Sequence, residues 1–384
     1  MPTPSQTILI LGGGVGGVAT AVLLRERLGD GHRIVLVERE ESYLFAPSLL
    51  WLLTGDREPE AITRPMDRLR GRGVEVVRGE VEHIDPLARA VVVGGATLAG
   101  SWIVVALGVE LAPEAVPGLS EAGHNLYSLA GATAFRDSLG GFGGGRLALL
   151  TATPAYKCPA APYEAAMLVE AALRKRGIRE RSTLDLYAAE PGPMGVTGPE
   201  NSAAVRQMVE QRGVRYHPEH VVVSAEAGGL RFANGQSAAF DLLGYVPPHR
   251  PPRVVRESSL AGEGGWVSVD RTTMETRFPG VFAIGDVNSI PLAMGKPLPR
   301  AGVFAHAQAE AVVKTIGRAI TGRGKAGTFD GHGECFIEVG DGKAGFGKGN
   351  FYAEPRPQIA MSAPGWHWHA GKVAFEKYWL RRWF

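Results

Sequence analysis

Ile8-Leu9-Ile10-Leu11-Gly12-Gly13-Gly14-Val15-Gly16-Gly17 reads as a buried strand running into a glycine turn. Gly12, Gly14 and Gly17 fit the spacing G-x-G-x-x-G. An apolar helical pattern follows through Val18, Ala19, Ala21, Val22, Leu23 and Leu24. A second apolar run, Ile34-Val35-Leu36-Val37, ends in Glu38, roughly 20 residues past the last glycine. The pattern is that of a dinucleotide-binding unit. Its glycines let the backbone approach a pyrophosphate, the helix N-terminus holds the negative charge, and the acid bonds ribose hydroxyls. An acid at Glu38 favours an unphosphorylated ribose, so FAD or NAD.

The far end of the chain decides between the two. Phe278 to Asp286 reads as a strand ending in Gly285-Asp286, followed by a helical pattern near Ala301 to Thr315. This resembles the second FAD signature of flavoproteins with two dinucleotide folds. There the aspartate binds the ribityl chain, and the following helix points its N-terminus at the pyrimidine end of the flavin, favouring the reduced anion. Arg300, at the start of that helix, adds positive charge. Ile103 to Gly108 resembles the short strand and glycine that leave the first FAD segment.

A second unit lies between these segments. Leu147 to Leu150 reads as a strand, and a helical pattern begins by Ala165. The intervening Thr151-Ala-Thr-Pro-Ala-Tyr-Lys-Cys-Pro-Ala-Ala-Pro-Tyr-Glu164 stands where a second glycine loop would hold NAD(P)H. It has no glycine. It carries three prolines and Cys158, and prolines remove N–H donors. A cysteine just ahead of a helix is placed to be a stabilised thiolate. Leu184 to Glu190 reads as the second strand of this unit and Ala203 to Gln211 as a helix. Phe240 to Pro248 returns the chain to the first domain, and the proline-rich stretch from Pro247 to Pro252 reads as a connection.

The fold expected is α/β: two Rossmann-like domains in a glutathione-reductase-like FAD arrangement, plus a small membrane-associating C-terminal segment. The first FAD segment is expected over 1–112, the second Rossmann-like domain over 113–264, the second FAD segment over 265–327 and the C-terminal domain over 328–384. In that last part Glu334 to Val339 reads as a strand and Gly340 to Gly349 as a glycine-rich hairpin. On a terminal helix from Lys372 to Phe384, Phe375, Trp379 and Trp383 share a face, with Lys372, Lys377, Arg381 and Arg382 on the polar side. A basic, tryptophan-rich amphipathic helix predicts a monotopic anchor on a membrane surface.

The 384 residues suffice for two or three cores, and a net charge of +2 implies no nucleic-acid partner. With Cys158 and Cys335 the only cysteines, a disulfide scaffold is excluded. The N-terminus lacks a signal-peptide pattern, no apolar run approaches a membrane span, and no metal site is expected.

The chain resembles the sulfide:quinone oxidoreductase family, kin to the flavoprotein subunit of flavocytochrome c sulfide dehydrogenase. The resemblance rests on Thr153 to Glu164, Cys335-Phe-Ile-Glu-Val-Gly340, Tyr43 to Trp51, and Phe375 to Leu380. It implies a Cys158–Cys335 redox pair beside the flavin, with Glu164 moving the proton of hydrosulfide. It implies FAD contacts at Gly12, Gly14, Gly17, Glu38, Arg39, Val81, Gly108, Gly285, Asp286, Arg300 and Ala301. A quinone would stack near Phe336, with Phe346, Phe351, Tyr352 and Trp366 as walls and Lys348 as proton donor. The partners implied are sulfide, quinone, a membrane surface and a second copy of the chain. Many members carry a third cysteine in the stretch matching 124–130, which this chain lacks. Ser42 lies near the covalent flavin attachment point of the cytochrome-linked relatives, so noncovalent FAD is expected. Other readings stay open: a type II NADH:quinone dehydrogenase, which should keep the second glycine loop, a cytochrome-coupled sulfide dehydrogenase flavoprotein, and a flavin-bearing persulfide carrier.

Overall fold

The computed structural model describes residues 4–384. Five parallel strands form the first sheet, in the order Val281–Ala283, Trp102–Val105, Thr7–Leu11, Arg33–Glu38 and Glu75–Arg78. The central strands are continuous apolar runs because a parallel sheet is covered on both faces. Alternation sorts their side chains. Ile8, Ile10, Ile34 and Leu36 join the core under the helices Val15–Leu28 and Gly302–Thr321. Leu9, Leu11, Val35 and Val37 pack on the other side against the antiparallel strands Val81–Asp85 and Ala90–Val93. Two glycines set the turn. Gly12 has φ +100°, and a Cβ there would lie 2.5 Å from the Ala106 carbonyl oxygen. A Cβ on Gly17 would lie 1.8 Å from the Gly12 oxygen, so this glycine seats the helix on the turn.

A second sheet, also five parallel strands, runs His124–Asn125, Leu242–Val246, Gly145–Thr151, Ser182–Ala188 and Arg215–His217. The segment expected to lead the chain back, Phe240 to Pro248, is thus partly an inner strand of this sheet. Glu110–Leu111 and His249–Arg250 pair antiparallel in a two-stranded sheet of their own. The helix after the cysteine loop spans Ala161–Lys175 and is buried along most of its length.

Three antiparallel strands, His332–Gly340, Lys343–Asn350 and Gln358–Gly365, precede the last helix, Trp366–Arg382. The first of these strands packs on the helix Ala161–Lys175, and the second on the last helix.

The last helix corrects the amphipathic reading. Trp379 and Trp383 are 4% and 3% exposed and belong to the core of the first sheet. Trp379 donates from Nε1 to the Tyr43 hydroxyl at 2.7 Å. Lys372 and Glu376 are buried on the same inward face. Arg382 pairs with Glu26 at 2.7 Å. The two tryptophans therefore pack on protein; Phe375, at the edge of their face and 41% exposed, still meets Trp379 and Phe45, while Trp366 and Tyr378 point outward at 72% and 59% exposure. Truncating Trp379 to Ala is expected to cost about 3–5 kcal/mol of unfolding free energy, against under about 1 kcal/mol for Tyr378→Ala. Denaturant unfolding of the two variants measures the difference.

Candidate active site

A cavity of about 810 Å³ opens between the glycine turn, the cysteine loop and the start of the helix Gly302–Thr321. Gly12, Gly14, Glu38, Arg39, Val81, Gly108, Gly285, Asp286, Arg300 and Ala301 all line it. Gly17 does not; it lies beneath the turn and shapes it. The Glu38 carboxylate accepts from the N–H of Gly13 and, at 2.8 Å, from that of Glu40. At the other end, the helix Gly302–Thr321 starts at Ala301 with no side-chain cap, which leaves its first N–H groups for an acceptor. Burial pushes the Asp286 carboxyl up, against Lys157 and Arg300, which pull it down. Arg300 lies over the Trp266 ring at 3.7 Å and donates from Nε to the Asp286 carbonyl at 3.0 Å. A glycine cradle with Glu38 beside it, and Asp286 with an open helix N-terminus at the other end, fit an extended dinucleotide of the FAD kind. Ser42 also lines the cavity.

Cys158 reaches the same cavity. Its backbone is left-handed, φ +51°, a strained conformation for a residue with a side chain. Three contacts hold it there. Its N–H donates to the Arg300 carbonyl at 2.7 Å, and its carbonyl accepts from Ala161 N–H at 3.0 Å and from the Tyr127 hydroxyl at 3.1 Å. The expectation of a stabilised thiolate is corrected. Burial pushes the Cys158 thiol well up, Cys335 and Glu164 push it further, and Lys372 only partly offsets them. Cys158 lies three residues ahead of the helix Ala161–Lys175, and desolvation outweighs what the helix end offers.

Cys335 comes from the strand His332–Gly340, and both cysteines are free thiols here. Its Sγ donates to the Phe336 carbonyl at 3.2 Å. One side is open to solvent, while protein crowds the rest. Burial and Glu164 push this thiol up to about 12, and Lys372 pulls it down. The two thiols and Glu164 thus sit within one another's electrostatic reach.

Glu164 is buried and bound on two sides. Its Oε1 accepts from Lys372 Nζ at 2.8 Å and from Glu338 N–H at 2.8 Å. Glu338, also buried, takes His369 Nδ1 at 3.0 Å. Lys372 lies 5.1 Å from the centre of the Trp51 ring. Lys372, expected on the polar side of the last helix, instead lies buried in the site. The signal was present, because helical spacing puts it on one face with Glu376, Trp379 and Trp383.

The aromatic residues divide. Phe336 and Phe346 meet at 5.0 Å, and Trp368 stacks on Phe346 at 4.6 Å. Trp368 was not singled out, and Trp366, which was, points to solvent. Phe351 and Tyr352 pack elsewhere, on Phe304 and Phe329 in the first core, with Arg271 4.2 Å over the Tyr352 ring. They are not brought to the Phe336 cluster, because the strand Lys343–Asn350 carries them past it. Lys348 is exposed and pairs in register with Glu334.

Where a nicotinamide dinucleotide would bind the second sheet, the geometry is closed. Glu190, two residues past the strand Ser182–Ala188, stands where a ribose acid is expected. It is buried and accepts from the hydroxyls of Thr151 (2.7 Å), Tyr156 and Tyr163. Both of its oxygens are thus already engaged by hydroxyls from within the protein. Both tyrosines come from the proline-rich loop and the helix behind it.

Residues 6–311 match the family model described as pyridine nucleotide-disulphide oxidoreductase. The chain is 24% identical over 372 residues to a mitochondrial sulfide:quinone oxidoreductase of Mus musculus, covering 91% of this chain and 79% of that one. It is 26% identical over 395 residues to a sulfide-quinone reductase of Aquifex aeolicus, covering 98% and 90%. The X-ray structure of the sulfide:quinone oxidoreductase from Aquifex aeolicus superposes with a TM-score of 0.88 at 25% identity, over 99% of this chain and 91% of that one.

Because Lys372 pulls the Cys335 thiol down and Glu164 pushes it up, Lys372→Met is expected to move the pH profile of Cys335 alkylation to higher pH, and Glu164→Gln to lower pH. A thiol pushed up has less thiolate at any given pH, so alkylation at fixed pH slows in the first variant. The measurement uses the reduced protein in a Cys158→Ser background.

Proposed function

We propose, for a chain that belongs to the pyridine nucleotide-disulphide oxidoreductase family, the reaction of a sulfide:quinone oxidoreductase. Sulfide is oxidised to sulfur or polysulfide and the electrons pass through FAD to a quinone. The observation that carries this is the convergence of Cys158, which lines the FAD cavity, with Cys335, Glu164 and Lys372 from separate elements beside it.

FAD supplies a two-electron relay between a thiol donor and a quinone acceptor. The chain's own residues do the sulfur chemistry. In the oxidised state Cys158 and Cys335 form a disulfide. Hydrosulfide attacks the Cys158 sulfur; the new S–S bond forms there as the old one breaks, and Cys335 leaves as the thiolate. The Lys372 ammonium stabilises that leaving sulfur, because it is the cation that lowers the Cys335 thiol. Glu164 takes up the persulfide proton, held in place by Lys372 and the Glu338 amide. The left-handed backbone at Cys158 keeps its sulfur presented at the cavity. Phe336 follows Cys335 on its strand and so faces the other side of the sheet; Phe346 stands opposite Phe336 on the next strand, and Trp368, from the last helix, stacks on Phe346. They form the apolar surface on which a quinone ring would stack.

The type II NADH dehydrogenase reading is disfavoured by Glu190, whose acceptors are consumed by hydroxyls. FAD is held noncovalently in this reading, since Ser42 puts a hydroxyl where attachment would need a thiol. The protein docks peripherally on a membrane through the outward face of its last helix, where Trp366, Phe375 and Tyr378 are exposed beside Lys377 and Arg381. Among the described residues no helix is long and apolar enough to cross a membrane.

Anaerobic flavin absorbance tests the reaction. Sulfide is expected to bleach the flavin, and a short-chain quinone to restore it, while NADH does nothing. Cys158→Ser and Cys335→Ser should each slow the sulfide step about a thousandfold or more, as for groups that act as a unit. Bleaching by NADH alone, or a normal sulfide step in both variants, sinks the reading. Acid precipitation should release the flavin into the supernatant.

A further inference from the structure

A second cavity, about 560 Å³, lies between the last helix and the segment 57–64 and shares no lining residue with the FAD cavity. Four of its lining residues are cationic: Arg57, Arg64, Lys377 and Arg381. The one lining acid, Glu376, is already used. It is 5% exposed, pairs with Arg57 at 3.0 Å and accepts from the Ser48 hydroxyl. Arg64 donates only to main-chain carbonyls, those of Glu60, Ala61 and Thr63. Among the described residues Arg64, Lys377 and Arg381 make no ion pair, and Arg68 adds its charge close by. Three unpaired cations thus meet at one mouth in a protein whose net charge is only +2. Like charges repel, so their convergence suits an anion. The wall behind them is apolar, from Val373 and Leu380. Lys377 and Arg381 share the outward helix face with Trp366 and Tyr378. Cations at the rim and hydrocarbon behind match a phosphate attached to an acyl-bearing molecule, since guanidinium groups bind phosphate oxygens in pairs.

We propose that this cavity binds the phosphate of an anionic lipid headgroup. The inference rests on the membrane-docking reading above and deepens it: apolar residues give attachment, and this cavity selects the lipid. The test is flotation of the FAD-loaded protein with vesicles of phosphatidylcholine alone and of phosphatidylcholine mixed with phosphatidylglycerol. Wild type is expected to partition about tenfold or more further onto the mixed vesicles, given roughly fivefold per cation near a charged surface. Arg64→Gln/Lys377→Gln/Arg381→Gln should lose that preference and keep its binding to neutral vesicles. If the triple variant loses its flavin, Lys377→Gln alone, at an exposed position, should still lose about fivefold of the preference. Wild type without a preference, or a triple variant that keeps it, overturns the proposal and leaves docking intact. Failure of wild type on both vesicles overturns the docking reading and the headgroup site together. Inorganic phosphate against chloride at matched ionic strength separates the two sources of the group. Phosphate that raises the melting temperature of wild type and not of the triple variant, with no lipid preference, makes the ligand a free phosphate and overturns the lipid assignment.

Discussion

The ion pair between Glu164 and Lys372, 2.8 Å long and buried on both sides, is the contact on which the site's architecture depends. It joins the helix behind the cysteine loop to the last helix of the chain, and the Glu338 amide adds the strand that carries Cys335. One element from the middle of the chain and two from its end are thereby pinned around two thiols. Removing one member of a buried pair typically costs about 3–5 kcal/mol, because the other charge is left without a partner. Such a pair is a poor device for stability alone, since hydrocarbon of equal volume serves as well. Its place here is electrostatic. A carboxylate that raises both thiols and an ammonium that lowers them set how readily sulfur leaves as an anion, in a pocket where burial alone would hold each proton firmly.

The second dinucleotide fold shows how a binding site is closed while its scaffold stays. The sheet, the helix and the acid at the end of the second strand all remain. What changes is the loop. Prolines remove donors, Cys158 N–H is spent on the Arg300 carbonyl, and Tyr156 and Tyr163 fill the acceptor sites of Glu190. The Arg300 contact also ties the cysteine loop to the segment leading into the helix Gly302–Thr321, so the loop's position follows that of the first sheet's domain.

Much of this was legible in the sequence, and the limits are physical. The first glycine turn, Glu38 and the Gly285-Asp286 pair are local signals, and local patterns survive without knowledge of packing. Cys158 stands out because a glycine loop is missing around it. The last helix misleads for a general reason: an amphipathic face has the same pattern whether it meets lipid or protein, and Trp379 and Trp383 meet protein. The same ambiguity hid Lys372, which looks solvated in a basic stretch but lies on the buried face. Tyr352 lies apart from Phe346 because the strand Lys343–Asn350 runs on past Phe346 and Tyr352 falls in the turn beyond its end, packed on Phe329. Glu190 carried no signal beyond its place, since the hydroxyls that saturate it come from positions 27 to 39 residues earlier.

The central claim is that sulfide sulfur is taken up on Cys158 while Cys335 leaves. Its most direct test is peptide mapping after one equivalent of sulfide is added to the oxidised protein without quinone, with free thiols trapped by alkylation. One extra sulfur on the Cys158 peptide, together with an alkylated Cys335 carrying none, is the predicted result. Extra sulfur on Cys335 alone, or on neither peptide while the flavin is reduced, would contradict the account.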